Sequence, residues 1–392
     1  MTTAALDQPA VSAYSLWELI RYFLRLGATG FGGPVALVGY MHRDLVEARG
    51  WISDADYKEG LALAQLAPGP LAAQLAIYLG YVHYRILGAT LVGLAFVLPS
   101  FVMVVLVGWA YVGYGGLPWM QAVFYGVGAC VIGIIVHNGY KLTRKSIRGD
   151  KLLWGIYLAS MLLTIITESE EVLLFVLAGV VVWLVKAPPK RWPKGRPIAG
   201  VLSPPALAQT ANTDPATLVN MAAFFLKAGA FVFGSGLAIV PFLYSGVVKE
   251  YAWLSGRQFL DAVAVAMITP GPVVITVGFI GYLVSGLGGA GVAALATFLP
   301  CYLFTVIPAP YFKKYGKRAD IAAFVEGITA AAIGALSGAV VVIARRSLTD
   351  LPTIAIALVT AIILWKSKRI PEPVLILAAA AIGLAVYPLV TV

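Results

Sequence analysis

Four places in this 392-residue chain set a helix-breaking motif beside charged or hydrogen-bonding residues, and they fall into two matched pairs. Gly30-Phe31-Gly32-Gly33-Pro34 and Ala67-Pro68-Gly69-Pro70 form one pair, Phe233-Gly234-Ser235-Gly236 and Thr269-Pro270-Gly271-Pro272 the other. Proline is tolerated in the first turn of a helix, with glycine just before it, so Gly33-Pro34 and Gly69-Pro70 predict helices that stop and restart. In apolar surroundings the first N–H groups of a restarted helix need a partner, and the positive end of the helix dipole favours an anion. The motifs therefore predict an anion site walled by the backbone of Phe31, Gly32, Gly33 and Pro34, of Pro68, Gly69 and Pro70, of Gly234, Ser235 and Gly236, and of Pro270, Gly271 and Pro272. Gln65 and Gln74 bracket the first Pro-Gly-Pro, and Thr269 and Thr276 accompany the second. Such neutral donors suit an oxyanion, and they serve equally as links between helices.

Ionisable residues near these breaks repeat the pairing. Arg25 and Lys227 each stand six residues before the phenylalanine of a Phe-Gly break. Glu59 and Asp261 each stand nine residues before the first proline of a Pro-Gly-Pro. Matched cations would attract an anion, and matched carboxylates would hold or release them; the plainer alternative leaves the cations at an interface and the acids on helix surfaces. His42, Arg43 and Asp44, with Glu47, follow the first break by about two turns, and the second half has Tyr244-Ser245-Gly246 in their place. A gating or coupling role for them would be asymmetric. Glu326 is a further carboxylate suited to coupling. The three histidines have no metal-ligand spacing, and no nucleophile–base pattern or phosphate-cradling Gly-Lys-Ser/Thr loop occurs, so neither an enzyme nor an ATP-driven pump is expected, and no cofactor.

The elements that position these residues are apolar helices. The chain is 60% hydrophobic and 12% charged, with a mean hydropathy of +0.88, which fits a lipid bilayer rather than water as its solvent. Leu87–Gly113 runs without a charged side chain, against the roughly 20 residues that cross ~30 Å of hydrocarbon. The net charge of +10 sits in short loops beside apolar stretches, which is topology information rather than a nucleic-acid surface. Cys130 and Cys301 lie inside apolar segments and form neither a disulfide framework nor a metal pattern.

The pairing extends to the whole chain. Trp51 and Ser53 match Trp253 and Ser255 at an offset of 202, as the breaks do. One deletion later Gly80-Tyr81, Leu98-Pro99, Gly126 and Gly133 match Gly281-Tyr282, Leu299-Pro300, Gly327 and Gly334 at 201. Two duplicate halves follow, residues 1–186 and 217–392, joined by a proline-rich linker over 187–216 that reads as soluble. Of the Lys and Arg in the loops of the two halves, opposite insertion places 17 in the cytoplasm and 2 outside, whereas like insertion gives 12 against 7. The positive-inside rule thus favours inverted repeats, a construction of secondary transporters. The expected fold is an all-α polytopic membrane protein of about ten helices with broken or re-entrant segments, five crossings per half and both termini outside.

The chain resembles the chromate ion transporter family in its long two-domain form. Phe31-Gly32-Gly33-Pro34, Arg49-Gly50-Trp51-Ile52-Ser53, Gln65-Leu66-Ala67-Pro68-Gly69-Pro70 and Leu98-Pro99-Ser100 carry the resemblance, with their second-half forms. Where many members have a histidine shortly after Phe-Gly-Gly-Pro, Leu37 stands here. The resemblance implies a secondary transporter of a small oxyanion in the plasma (inner) membrane, with chromate efflux and sulfate as an analogue or counter-substrate. A homodimer is left open. The competing expectation is a proton-coupled transporter of a neutral or cationic solute that uses the carboxylates for binding.

Overall fold

The computed structural model describes residues 14–31, 33–114, 117–147, 149–167, 172–188, 215–230, 239–315, 318–367, 370 and 372–390. Gly32, the Phe233-Gly234-Ser235-Gly236 break and most of the expected linker (residues 189–214) lie outside them. Helix α1 (Leu16–Thr29) starts on a capping box, in which Ser15 and Glu18 satisfy each other's backbone N–H. It ends at Gly30, and α2 (Gly33–Met41) restarts where the Gly-Pro signal predicts, running into a π-helical turn at His42–Ala48. The wider turn frees a carbonyl, and the Tyr57 hydroxyl donates to Val38 O at 2.7 Å. Helix α3 (Asp54–Leu66), capped by Ser53, runs to Pro68-Gly69-Pro70, and α4 (Leu71–Tyr114) begins directly after it.

Both breaks are tips of re-entrant hairpins. Tyr14 stacks on Trp51 at 4.8 Å and Tyr22 reaches Asp44, so α1 and the α2 segment run out and back. Tyr78 of α4 reaches Glu59 of α3 in the same manner around Pro-Gly-Pro. Helix α4 then reverses at Arg85 (φ 52°, ψ −142°), which brings Gly80 and Gly88 so close that a Cβ on either would run into the other's backbone. Arms of 14 and 13 residues are about 21 and 20 Å long, shorter than the ~30 Å of hydrocarbon.

Four further segments complete the first copy: the second arm of α4 (86–114), α5 (Pro118–Ile147), α6 (Lys151–Thr167) and α7 (Val172–Lys186). The second copy repeats the plan with α8 (Pro215–Ala230), α9 (Val240–Tyr244) and its π-helical turn Ser245–Glu250, α10 (Gly256–Ile268), α11 (Thr276–Val306), α12 (Ala309–Tyr315), α13 (Ala319–Ser347), α14 (Leu351–Lys366) and α15 (Glu372–Val390). Helix α11 reverses at Ser285-Gly286 as α4 does at Arg85. After Pro272 the chain takes a 3-10 turn, Val273–Ile275, before α11, so the second Pro-Gly-Pro is not followed at once by an α-helix. Leu71–Tyr114, Trp119–Arg144, Val273–Phe312 and Ala319–Arg345 are long and apolar enough to cross a membrane, and shorter apolar helices accompany them.

The copies are inverted. Thr90, at the start of α4's second arm, bonds Tyr302 near the end of α11, and Gly108 near the end of that arm packs on Tyr282. The second arm of α4 is therefore antiparallel to its own counterpart in α11. The outer helices interlock reciprocally: α5 packs on α14 and α15, while α13 packs on α6 and α7. Gly126 meets Ala379 and Gly383, as Gly327 meets Ala178 and Gly179, the close small-residue packing that joins membrane helices without a hydrophobic driving force.

Tyr14 packs on Trp51 and Tyr84, which sets Ser15 at the end of the bundle that carries Arg49 and Arg85, while at the end of α15 Tyr387 meets Gln121.

Candidate functional site

Helix α1 is strongly amphipathic. Leu19, Tyr22, Phe23 and Leu26 are buried, while Glu18, Arg21, Arg25 and Thr29 form an exposed stripe at helical spacing. A stripe of charge in a membrane domain lines water or a ligand path rather than lipid. Opposite it the π-helical turn presents Arg43, Asp44 and Arg49. Between them opens a cavity of about 580 Å³, lined by Tyr22, Arg25, Thr29, Phe31, Tyr40 and Arg43 among others. Three arginines, Arg25, Arg43 and Arg49, face it against a single acid, Asp44. Arg43 Nε donates to Asp44 Oδ1 at 2.8 Å, and the Tyr22 hydroxyl donates to Oδ2 at 3.3 Å. Arg49 lies over the rings of Tyr22 (5.2 Å) and Trp51 (4.4 Å). With Asp44 engaged by Arg43, the walls retain a net positive charge.

The cavity runs from the basic face to Gly30, where the two copies meet. Gly271 N–H, at the tip of the second copy's α10–α11 hairpin, donates to Gly30 O at 3.0 Å. Ser100 of α4 donates to Gly27 O at 3.3 Å and fills the space beside Gly271. Gly271 has φ +98°, a conformation that L side chains rarely adopt. Two of the four breaks thus meet, at Gly30 and Gly271, and the Gly271 amide is spent on Gly30 rather than held free for an anion.

The other expected residues divide. Phe31 lines the cavity, half-exposed, and Gly33 and Pro34 start the helix beside it. Pro68, Gly69 and Pro70 are tied down by Gln74, whose Nε2 donates to Pro68 O at 2.8 Å, while Gln65 is exposed on the last turn of α3. Thr269 and Thr276 donate to the carbonyls of Ala266 and Ala262, which makes them links within the hairpin. Pro270 and Pro272 frame Gly271. Lys227 does not line the cavity; it lies 5.7 Å over the Phe242 ring, so the two matched cations do not converge on one space. Glu59 accepts from Tyr78 at 2.8 Å, and Asp261, 4% exposed, accepts from Tyr111 at 2.7 Å. His42 sits between Glu47 (3.0 Å) and Asp54 (3.3 Å) at the hairpin base, outside the cavity. There Lys58 and then His42 hold the Asp54 carboxyl below the usual carboxylate range. Glu326 pairs with Lys186 at 2.8 Å, which accounts for it structurally. Among the described residues no cluster of His, Cys, Asp and Glu could hold a metal.

Tyr22, Tyr40, Ser100 and Tyr111 were not singled out as site residues by the motifs. The i, i+3, i+4 polar spacing on α1 was the available signal for the cavity; Tyr111 had none.

The second copy differs at the matched positions among the described residues. Its matched residues are Phe224 for Tyr22, Phe242 for Tyr40, Ser245 for Arg43, Gly246 for Asp44 and Tyr251 for Arg49. Phe224 stacks on Phe242 at 5.4 Å and meets Tyr251 at 5.6 Å, while Tyr251 stacks on Trp253 at 4.4 Å. The Phe224 ring occupies the place where a side chain at residue 246 would begin. One inverted copy thus holds an open cationic vestibule, and the other, among the described residues, an aromatic cluster with Lys227 beside it.

Comparison with known proteins agrees with this architecture. A family model described as chromate transporter matches residues 17–183 and again 219–384. A chromate transport protein of Cupriavidus metallidurans is 67% identical over 99% of this chain and 97% of its own length. A probable chromate transport protein of Synechococcus elongatus is 64% identical over 95% of each chain, and a chromate transport protein of Pseudomonas aeruginosa is 28% identical over 99% and 95%. No solved structure matches.

Proposed function

Because the chain belongs to the chromate transporter family, whose members are transporters rather than enzymes, we propose that it exports chromate across the plasma membrane, loading the anion from the cytoplasm into the α1–α2 vestibule. The observation that carries this reading is the one-sided chemistry of the inverted copies. The open cavity has three arginines and lies on the face with the excess of Lys and Arg, which the positive-inside rule makes cytoplasmic. The second copy presents aromatic rings at the positions matched to Tyr22, Tyr40 and Arg49 and keeps Lys227 as the match of Arg25.

A tetrahedral dianion entering the vestibule meets Arg25, Arg43 and Arg49, whose planar guanidiniums bind oxyanions by paired hydrogen bonds. Passage beyond Gly30 requires the Gly271–Gly30 contact to open, which frees the amide at the second tip to accompany the anion. Because the hairpins meet tip to tip from opposite faces, rocking one copy against the other exchanges which vestibule is open. Sulfate, of the same shape and charge, competes for the arginines.

The test is chromate uptake into inverted membrane vesicles, with and without excess sulfate. Saturable uptake that sulfate reduces, and that Arg25→Ala with Arg43→Ala abolishes, is the expected result. No uptake above that of vesicles lacking the protein ends the reading. Uptake that survives loss of both arginines but fails with Glu59→Ala moves the site to the carboxylates.

A further inference from the structure

One buried acid has no part in the anion path. Asp261 lies midway along α10, between the face opposite the vestibule and the Pro270-Gly271-Pro272 tip. It is 4% exposed, and Tyr111 of the other copy donates to its Oδ2 at 2.7 Å. Tyr111 is itself held edge-on by Phe124 (5.4 Å) and Phe279 (5.5 Å). The titratable groups that act on Asp261 are Tyr111 and Arg257. Arg257, one turn earlier on α10, is directed elsewhere: its guanidinium lies over the Tyr387 ring of α15 at 5.8 Å and donates to Gln121 O of α5. From the α9 segment Tyr244 packs on Phe259, and α11 contributes Phe279. Among the described residues no Lys, Arg or His forms an ion pair with Asp261.

The matched acid is placed differently. Glu59 is half-exposed and bonded within its own hairpin, whereas the Asp261–Tyr111 bond spans the two copies. A sealed carboxylate with one hydrogen bond and no ion-pair partner is strongly disfavoured when ionised, and taking up a proton removes that cost. Binding a proton on Oδ1 leaves Oδ2 free to accept from Tyr111, so the observed contact accommodates the neutral acid.

We propose that Asp261 is a proton site of the transport cycle, neutral while the vestibule is open and the copies are latched through Tyr111, and ionised when the second-copy hairpins part and admit water from the opposite face. The only covalent change is one O–H bond made or broken at Asp261, with water on that face as the proton's source and destination. Return of the emptied carrier to the vestibule-open state then waits on a proton from that face. The inference rests on the chromate reading above, since it needs a flux to observe.

The test is chromate flux in proteoliposomes of the whole chain, with the vestibule-side pH fixed, the potential clamped and the pH of the opposite compartment varied. Wild type is expected to slow as that compartment becomes alkaline, by up to about tenfold per pH unit for a single-proton step. Asp261→Asn, locked neutral, is expected to transport with that limb of the profile abolished. Tyr111→Phe, which removes the hydrogen bond and keeps the ring, displaces the midpoint of the profile without flattening it. Chromate's own titration is common to all three proteins and cancels in the comparison. A wild-type profile that is flat, or one that Asp261→Asn leaves unchanged, overturns the proton site while chromate transport stands. If Asp261→Asn gives no flux, Asp261→Glu decides: a restored, displaced profile supports the site, and a restored but flat profile overturns it. Absence of chromate flux in wild type itself refutes the function and not merely its pH control.

Discussion

Gly271→Ala attacks the seam where the two copies touch. A methyl group there meets Ser100 Oγ head-on, lies 3.1 Å from Ser100 Cβ and 3.3 Å from Gly27 O, and must also adopt φ +98°. The backbone conformation costs an L residue roughly 1–2 kcal/mol, and forcing a methyl into a filled site costs about 1–3 kcal/mol more. The sum is about 2–5 kcal/mol, with the Gly271–Gly30 hydrogen bond, worth about 1 kcal/mol, at risk if the tip moves to relieve the clash. At ~2.1 cal/mol/K of unfolding entropy per residue, a chain this long loses on the order of 1 °C of melting temperature per kcal/mol, so a fall of about 2–5 °C is expected in the purified protein. Chromate flux should fall more steeply, because the seam is what must open and reclose. Ser100→Gly in the same chain removes the clashing atoms but not the backbone strain, and should return only the packing share of the loss. The matched Gly69→Ala, at φ +144°, would instead press on Gln74 and endanger its hydrogen bond to Pro68 O, a loss within the first copy that leaves the seam intact. An unchanged melting temperature and flux in Gly271→Ala, or a full rescue by Ser100→Gly, would refute the geometry of the seam.

Other outcomes follow from the same structure. Replacing Arg25 or Arg43 singly by Ala should raise the KM for chromate by up to about thirtyfold: two unit charges at 4 Å are worth about 1 kcal/mol in water, and a dianion feels about 2 kcal/mol. The effect should shrink at high salt, which a KM series against ionic strength will show. Arg85→Gly should stabilise the protein by about 1–3 kcal/mol, since Arg85 occupies a region that essentially only glycine adopts, and the second copy has Gly286 there with φ 59°. A melting temperature that does not rise would mean that the reversal is unstrained. Lys186, with help from the backbone N–H groups of Leu152 and Leu153, holds the Asp150 carboxyl below its usual range. That contribution to stability is present above pH ~4 and is lost as acid protonates Asp150 in the fold, so Asp150→Asn should flatten the acid side of a melting-temperature profile.

The sequence carried the breaks, the duplication and the inversion because each is written locally or at a fixed offset. A Pro-Gly-Pro signals its own break, and loop charges signal a side. Whether the chain continues past a break or doubles back is not local. It depends on Gly80 meeting Gly88 and Tyr78 meeting Glu59, contacts that a broken span would not make. A hairpin and a kinked span have the same residues and opposite effects on topology, so composition alone does not separate them. The breaks were read as four equivalent amide donors, yet one amide is taken up by the opposing tip. The Tyr111–Asp261 bond joins residues 150 positions apart in different copies, with no periodicity to announce it.

The asymmetry between the copies was legible only in part. His42-Arg43-Asp44 against Tyr244-Ser245-Gly246 marks a difference, but not that one set opens a cavity and the other admits the Phe224 ring. The distinction matters for what direction means in such a protein. A passive carrier cannot choose a direction by its binding sites, since whatever stabilises the loaded state also slows release. Expulsion of a dianion is driven by the inside-negative potential, at about 2.3 kcal/mol per charge per 100 mV. What arginines on one face and aromatic rings on the other can set is the concentration at which each side saturates. On the proposed reading, a vestibule with three arginines fills at low anion on its own side, whereas the matched positions of the other copy keep Lys227 alone of those cations. The inverted copies would then share one scaffold for alternation, with a few substitutions at matched positions setting which side loads more readily.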